Sequence, residues 1–131
     1  MPNRIDYTLD GGWGKLNEPL EFDTPIKGYV ARMPYVILQE DGKLILEAGF
    51  SWDFGSGPAI DTPAMVIASA AHDAFCVMTD VGVLPWSCRK VSDKYFRDLL
   101  KANGTGWARR WWCWIGVRSY SKTFARWNRP I

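Results

Sequence analysis

The sequence predicts an α+β fold, in which an N-terminal β-hairpin and strand region packs on a three-helix bundle whose first two helices run antiparallel. Three observations carry that expectation. Two β-like stretches, YVARMPYVIL (29–38) and KLILEA (43–48), are joined by QEDG, and Asp-Gly is a strong hairpin-turn dipeptide. The apolar stretch PAMVIASAAHDAFCVM (63–78) follows Thr62-Pro63, a helix N-cap with proline in the first helical position. A second helical stretch, starting near residue 87, ends at Asn103-Gly104, where glycine is a natural C-cap.

In chain order, residues 1–26 are rich in Gly, Asp and Pro and read as an irregular arm with one short strand at 20–22. Pro34 marks an edge or a break in the first hairpin strand, because proline cannot donate to a ladder. GFSWDFGSGPAIDTP (49–63) is an ordered Gly/Ser/Pro loop. TDVGVLP separates the first two helices, and a third helix is expected from about 105 or 107 to 122. The 131 residues form one domain, with a β-rich arm and hairpin over 1–48, the loop over 49–62 and a helical core over 63–124.

Composition narrows the function classes. With 47% apolar and 23% charged residues the chain has a globular composition and is not intrinsically disordered. A net charge of +2 does not by itself impose a nucleic-acid partner. Three cysteines without C-x-x-C spacing argue against a disulfide framework or a zinc knuckle and read as free thiols of a reducing compartment. The N-terminus has no apolar core of a secretory signal, and no window reaches the ~20 apolar residues of a spanning helix.

The chemistry-bearing motif is AAHDAF (70–75), which holds the single histidine of the chain, His72, followed by Asp73. On a helix His72 shares a face with Ala68, Phe75 and Cys76, while Asp73 lies with Ser69 and Ala70. In SDKYFRDLL, Asp93 lies in line with Phe96 and Leu100 on the apolar face, and Asp98 points with Lys94 and Lys101 toward solvent. A carboxylate on a buried face needs a partner, and a histidine on the neighbouring helix is the obvious one. In that pairing Asp93 accepts from one ring nitrogen of His72 and sets its tautomer, which leaves the other nitrogen to act as a base. Asp73 points about 100° away, toward the SWDFGSGP loop and Asp53. Two carboxylates with loop carbonyls make the hard oxygen set that Ca²⁺ prefers. The alternative stays open that His72 and Asp93 are a satisfied packing network between helices. A single histidine excludes a multi-histidine metal centre.

The order of motifs is more specific than the dipeptide. GF-x-WD-x-GS-x-P precedes the AAHDAF helix; a polar break with Arg89, then SDKYFRDLL and an aromatic stretch ending WIGVRSYSK follow. Over residues 49 to about 122 this resembles the DUF1353 family, small proteins found largely in phages and prophages. More distantly it looks like the prokaryotic phospholipase A2 fold. That likeness implies a phospholipase A2-like antiparallel helix pair, with His72 as the general base that activates water and Asp93 orienting it. Asp53 and Asp73, with the carbonyl of Phe54, would hold Ca²⁺. The resemblance implies a phage accessory protein of the infected host's cytoplasm or of the virion, with a host or virion protein as partner, or a Ca²⁺-dependent hydrolase of lipid or other esters.

The C-terminal stretch GWARRWWCWIGVRSYSKTFARWNRP is aromatic and basic. Trp107, Trp111, Trp114 and Ile115 fall on one helical face with Arg118 at its end, and Arg109 and Arg110 fall mostly opposite. This pattern suits a core helix with a solvated basic back. It also suits a surface for lipid headgroups or, less directly, for single-stranded nucleic acid.

Overall fold

The computed structural model describes residues 5–10, 13–53 and 63–102, which form seven strands followed by two helices. The strands are β1 (Tyr7–Asp10), β2 (Trp13–Leu16), β3 (Leu20–Asp23), β4 (Ala31–Met33), β5 (Val36–Leu38), β6 (Lys43–Leu46) and β7 (Ser51–Asp53). The helices are α1 (Pro63–Asp80) and α2 (Cys88–Ala102). All strand pairs are antiparallel, in one sheet of order β1-β2-β7 and a second of order β3-β6-β5-β4.

The class is α+β, but the β part exceeds the predicted hairpin and arm. The arm contains three strands, and each strand of the fold has only three or four residues. Segments this short carry one or two alternations, too few to stand out in a Gly- and Asp-rich stretch. Among the described residues there are two helices, not a three-helix bundle; the stretch expected as a third helix lies outside the described residues.

The second sheet shows why these residues pair. On β6 the buried Leu44 sits between Phe22 and Leu38, and the buried Leu46 between Leu20 and Val36. Side chains of one parity thus build the core, and a one-residue slip would expose them all. Pro34 breaks the predicted first strand into the β4–β5 hairpin. Proline presets the first turn position, and Tyr35 takes a positive φ of 67° at the second, the pattern of a type II turn. Gly49 leaves room for the Tyr35 ring, whose Cε1 would lie 2.8 Å from an added Cβ.

The Asp-Gly turn behaves as its sequence predicts. Gly42 has φ 91°, its N–H donates to the Gln39 carbonyl, and its carbonyl accepts from both Thr24 N and Thr24 Oγ1 at 3.0 and 2.7 Å. A Cβ at Gly42 would sit 2.3 Å from the Thr24 carbonyl oxygen. Gly42→Ala therefore combines a left-handed backbone with a clash against main chain. It is expected to destabilise the fold by about 1–3 kcal/mol, read as a lower urea midpoint at unchanged slope.

The helices form an antiparallel pair. Arg89 near the start of α2 meets Thr79 and Asp80 at the end of α1, and further along Asp93 and Phe96 meet His72. Ala68, Ala70, Ala71 and Ala74 are fully buried, and their small size lets the neighbouring elements approach closely. The turn between the helices closes on Gly82, φ 85°. Arg89 locks this corner: Nη1 donates to Thr79 Oγ1 and Asp80 Oδ1, and the guanidinium lies 5.1 Å from the Trp86 ring centroid. The Tyr95 hydroxyl donates to the Asp23 carbonyl at 3.2 Å, which ties α2 to β3.

Candidate active site

The site lies in the seam between α1 and α2. Both helices place it by periodicity. Asp93 falls on the same face as Phe96 and Leu100 and is fully buried with them, whereas Lys94, Asp98 and Lys101 on the opposite face are exposed. His72 comes from α1 with its side chain 12% exposed. His72 Nε2 lies 2.6 Å from Asp93 Oδ1. The Phe96 ring, 5.3 Å from the imidazole and tilted by 57°, covers one face.

The second ring nitrogen is not left to solvent alone. Cys76, half-buried and one turn on from His72, places Sγ 3.5 Å from Nδ1 and 3.8 Å from Nε2. The ring thus stands between a carboxylate and a sulfur. Burial by itself would lower the His72 pKa, but the charge of Cys76, the hydrogen bonds to Asp93 and Cys76, and the charge of Asp93 outweigh it. The net effect raises His72 to about 10. Nε2 meets the Asp93 carboxylate, and the sulfur, nearly equidistant from the two ring nitrogens, lies off the in-plane axis of either. The sequence already placed Cys76 on the His72 face of the helix, and its contact with the ring is what the structure adds.

The structure also orders the neighbourhood of the predicted Ca²⁺ residues. Trp52 is fully buried and its Nε1–H donates to Ser69 Oγ at 3.1 Å, while Ser69 Oγ donates to the Val66 carbonyl. That bond sets the end of β7, where Asp53 stands, against α1 one turn before the half-buried Asp73. Phe50 stacks on Trp52 at 5.9 Å and stiffens this junction. Phe54 lies outside the described residues, as do Trp107, Arg109, Arg110, Trp111 and Arg118. Among the described residues no group of three or more His, Cys, Asp and Glu is arranged to hold a metal, and no helix is long and apolar enough to cross a membrane.

No curated protein and no solved structure matches the chain. A family model does: DUF1353, described as a protein of unknown function, matches residues 30–117. The matched span runs from β4 through α2 and includes His72, Cys76 and Asp93. It covers more than half of the sequence, and the chain belongs to the DUF1353 family.

Proposed function

We propose that this DUF1353 protein is a phage or prophage accessory protein with a phospholipase A2-like site that hydrolyses an acyl bond of a lipid or another ester. The observation that carries the reading is the 2.6 Å contact between His72 Nε2 and the fully buried Asp93 Oδ1. A carboxylate at one ring nitrogen orients the imidazole and supports its charge while the other nitrogen moves a proton at the reacting carbonyl.

Asp53 and Asp73 with the Phe54 carbonyl are the residues that would hold Ca²⁺. The Trp52–Ser69 bond brings β7 to the helix turn preceding Asp73. A bound Ca²⁺ supplies Lewis-acid polarisation of an ester carbonyl.

A second reading rests on the same contact. A histidine held as a cation up to about pH 10 and paired with a buried carboxylate is also a helix clamp. The domain would then bind a host or virion partner without catalysis.

Purified protein assayed on phospholipid vesicles and on p-nitrophenyl esters, with millimolar Ca²⁺ or with chelator, separates the two. Hydrolysis by the parent that falls at least ~100-fold in His72→Gln, with folding retained, is the expected result. A Ca²⁺-induced rise in melting temperature that disappears in Asp53→Asn and Asp73→Asn accompanies it. A folded parent with no turnover on either substrate class leaves the clamp as the role of the pair.

A further inference from the structure

We infer that a groove on the outer side of α2 binds a single-chain anionic amphiphile, a small molecule with one negatively charged head and an aliphatic body. The inference stands apart from the hydrolase reading. Asp93 is buried toward α1, whereas Lys90, Val91 and Lys94 of the same helix are exposed.

The groove forms where the chain between β3 and β4 lies along α2. Its larger part is a cavity of about 360 Å³ with apolar walls from Pro25, Val91 and the buried Tyr95. A smaller cavity of about 210 Å³ adjoins it, since Pro25 and Val91 border both, and continues past Ile26 and Tyr29. The Tyr95 hydroxyl donates to the Asp23 carbonyl, and the Tyr29 hydroxyl hydrogen-bonds the Cys88 thiol, so both rings are anchored by their polar ends. Val91 and Tyr29 remain 38% and 37% exposed. An elongated trough with aliphatic and aromatic walls gains by covering that surface with a hydrocarbon chain.

Charge selects the head. Lys90, Lys94 and Arg97 border the larger cavity and Lys27 the smaller, against a single acid, Asp98. Lysine and arginine lay their apolar stems along such a surface and keep their charged ends in water. Lys27, Lys90 and Lys94 make no ion pair among the described residues. Lys90 and Lys94 stand one turn apart on α2, and like charges at that spacing repel. An anionic head between them relieves that repulsion, while the chain lies over Val91 and Pro25 toward Tyr29. Size favours a small molecule over a protein partner. Ligand cavities run from ~300 to ~1,000 Å³, whereas a stable protein interface draws on ~20–30 residues a side, more than border this groove.

The test is titration of the full chain with sodium decanoate, below the concentration at which it forms micelles, followed by calorimetry and by backbone amide shifts in the isotope-labelled protein. Decyltrimethylammonium carries the same chain with the opposite charge, acetate the same head without the chain, and a polyglutamate peptide the same charge on a polymer. Saturable binding of decanoate is expected, with the largest shifts at Lys27, Lys90, Val91 and Lys94, and none of comparable strength for the other three. The double variant Lys90→Glu with Lys94→Glu is expected to bind decanoate at least about tenfold more weakly, since two exposed ion pairs are replaced by two repulsions. Val91→Asp is expected to weaken binding while leaving every cation in place. All three positions are exposed, and an unchanged urea midpoint confirms that the variants fold.

Decyltrimethylammonium binding as tightly as decanoate overturns the inference, because the charge then selects nothing. Undiminished decanoate binding in the double variant, or shifts centred away from the groove, overturns it as well. Binding of polyglutamate without decanoate overturns it in favour of an acidic protein segment as the occupant.

Discussion

Asp93→Ala is expected to destabilise the protein by about 3–5 kcal/mol, measured as the shift in urea-unfolding midpoint at neutral pH. Asp93 is fully buried, and its Oδ1 meets His72 Nε2 at 2.6 Å. Removing the carboxylate leaves an imidazolium with little access to water and its closest acceptor gone. A broken buried pair costs more than the pair's net worth, because the surviving charge keeps its desolvation penalty. The protein can lower that cost by releasing the proton, so His72 in the variant is expected to titrate well below its value in the parent. Asp93→Asn keeps the shape and one acceptor and is expected to cost less. A double-mutant cycle with His72→Gln isolates the pair itself. A cost for Asp93→Ala below about 1 kcal/mol would show that the two helices hold together without this contact.

The stability of the protein is expected to fall as pH rises from about 6.5 to about 10. His72 titrates near 6.5 in the unfolded chain and near 10 in the folded one. Below the lower value both states hold the proton, and the stabilisation is fully present. Between the two values only the folded state holds it, so each rise in pH favours the unfolded chain, and the contribution is gone above the upper value. The steepest slope is about 1.4 kcal/mol per pH unit, and the whole effect is a few kcal/mol. Cys76 and Asp93 are the titratable groups in contact with the ring. Urea midpoints measured at about pH 6, 8 and 10 for the parent and His72→Gln test it. An equal decline in both proteins would sink the assignment to His72.

How much of this was legible in the sequence varies by element. The helices were, since 15 to 18 residues give several turns over which caps and apolar spacing agree. Thr62-Pro63 marked the start of α1, and the wheel position of Asp93 beside Phe96 and Leu100 already implied a buried carboxylate in need of a partner. The Asp-Gly turn before β6 was equally plain. The small strands β1 and β2 were not, because four residues with a glycine in β2 give little pattern to read. β1 pairs with β2, and β2 pairs in turn with β7, distant in sequence. Pro34 announced a break, but only the Tyr35 turn made that break a hairpin.

For the site, the sequence determined the residue types and their helical faces. His72 and Cys76 share one face of α1, and Asp93 lies on the inward face of α2, because 3.6-residue periodicity is local. Only the tertiary structure decided which groups meet. The antiparallel packing of α1 on α2 brings a carboxylate 21 residues away in the chain to Nε2. That choice of nitrogen follows from the register of two packed helices and from Phe96 against the ring. Both are non-local, and both determine whether the histidine stands as a free base or as a cation between an acid and a thiol.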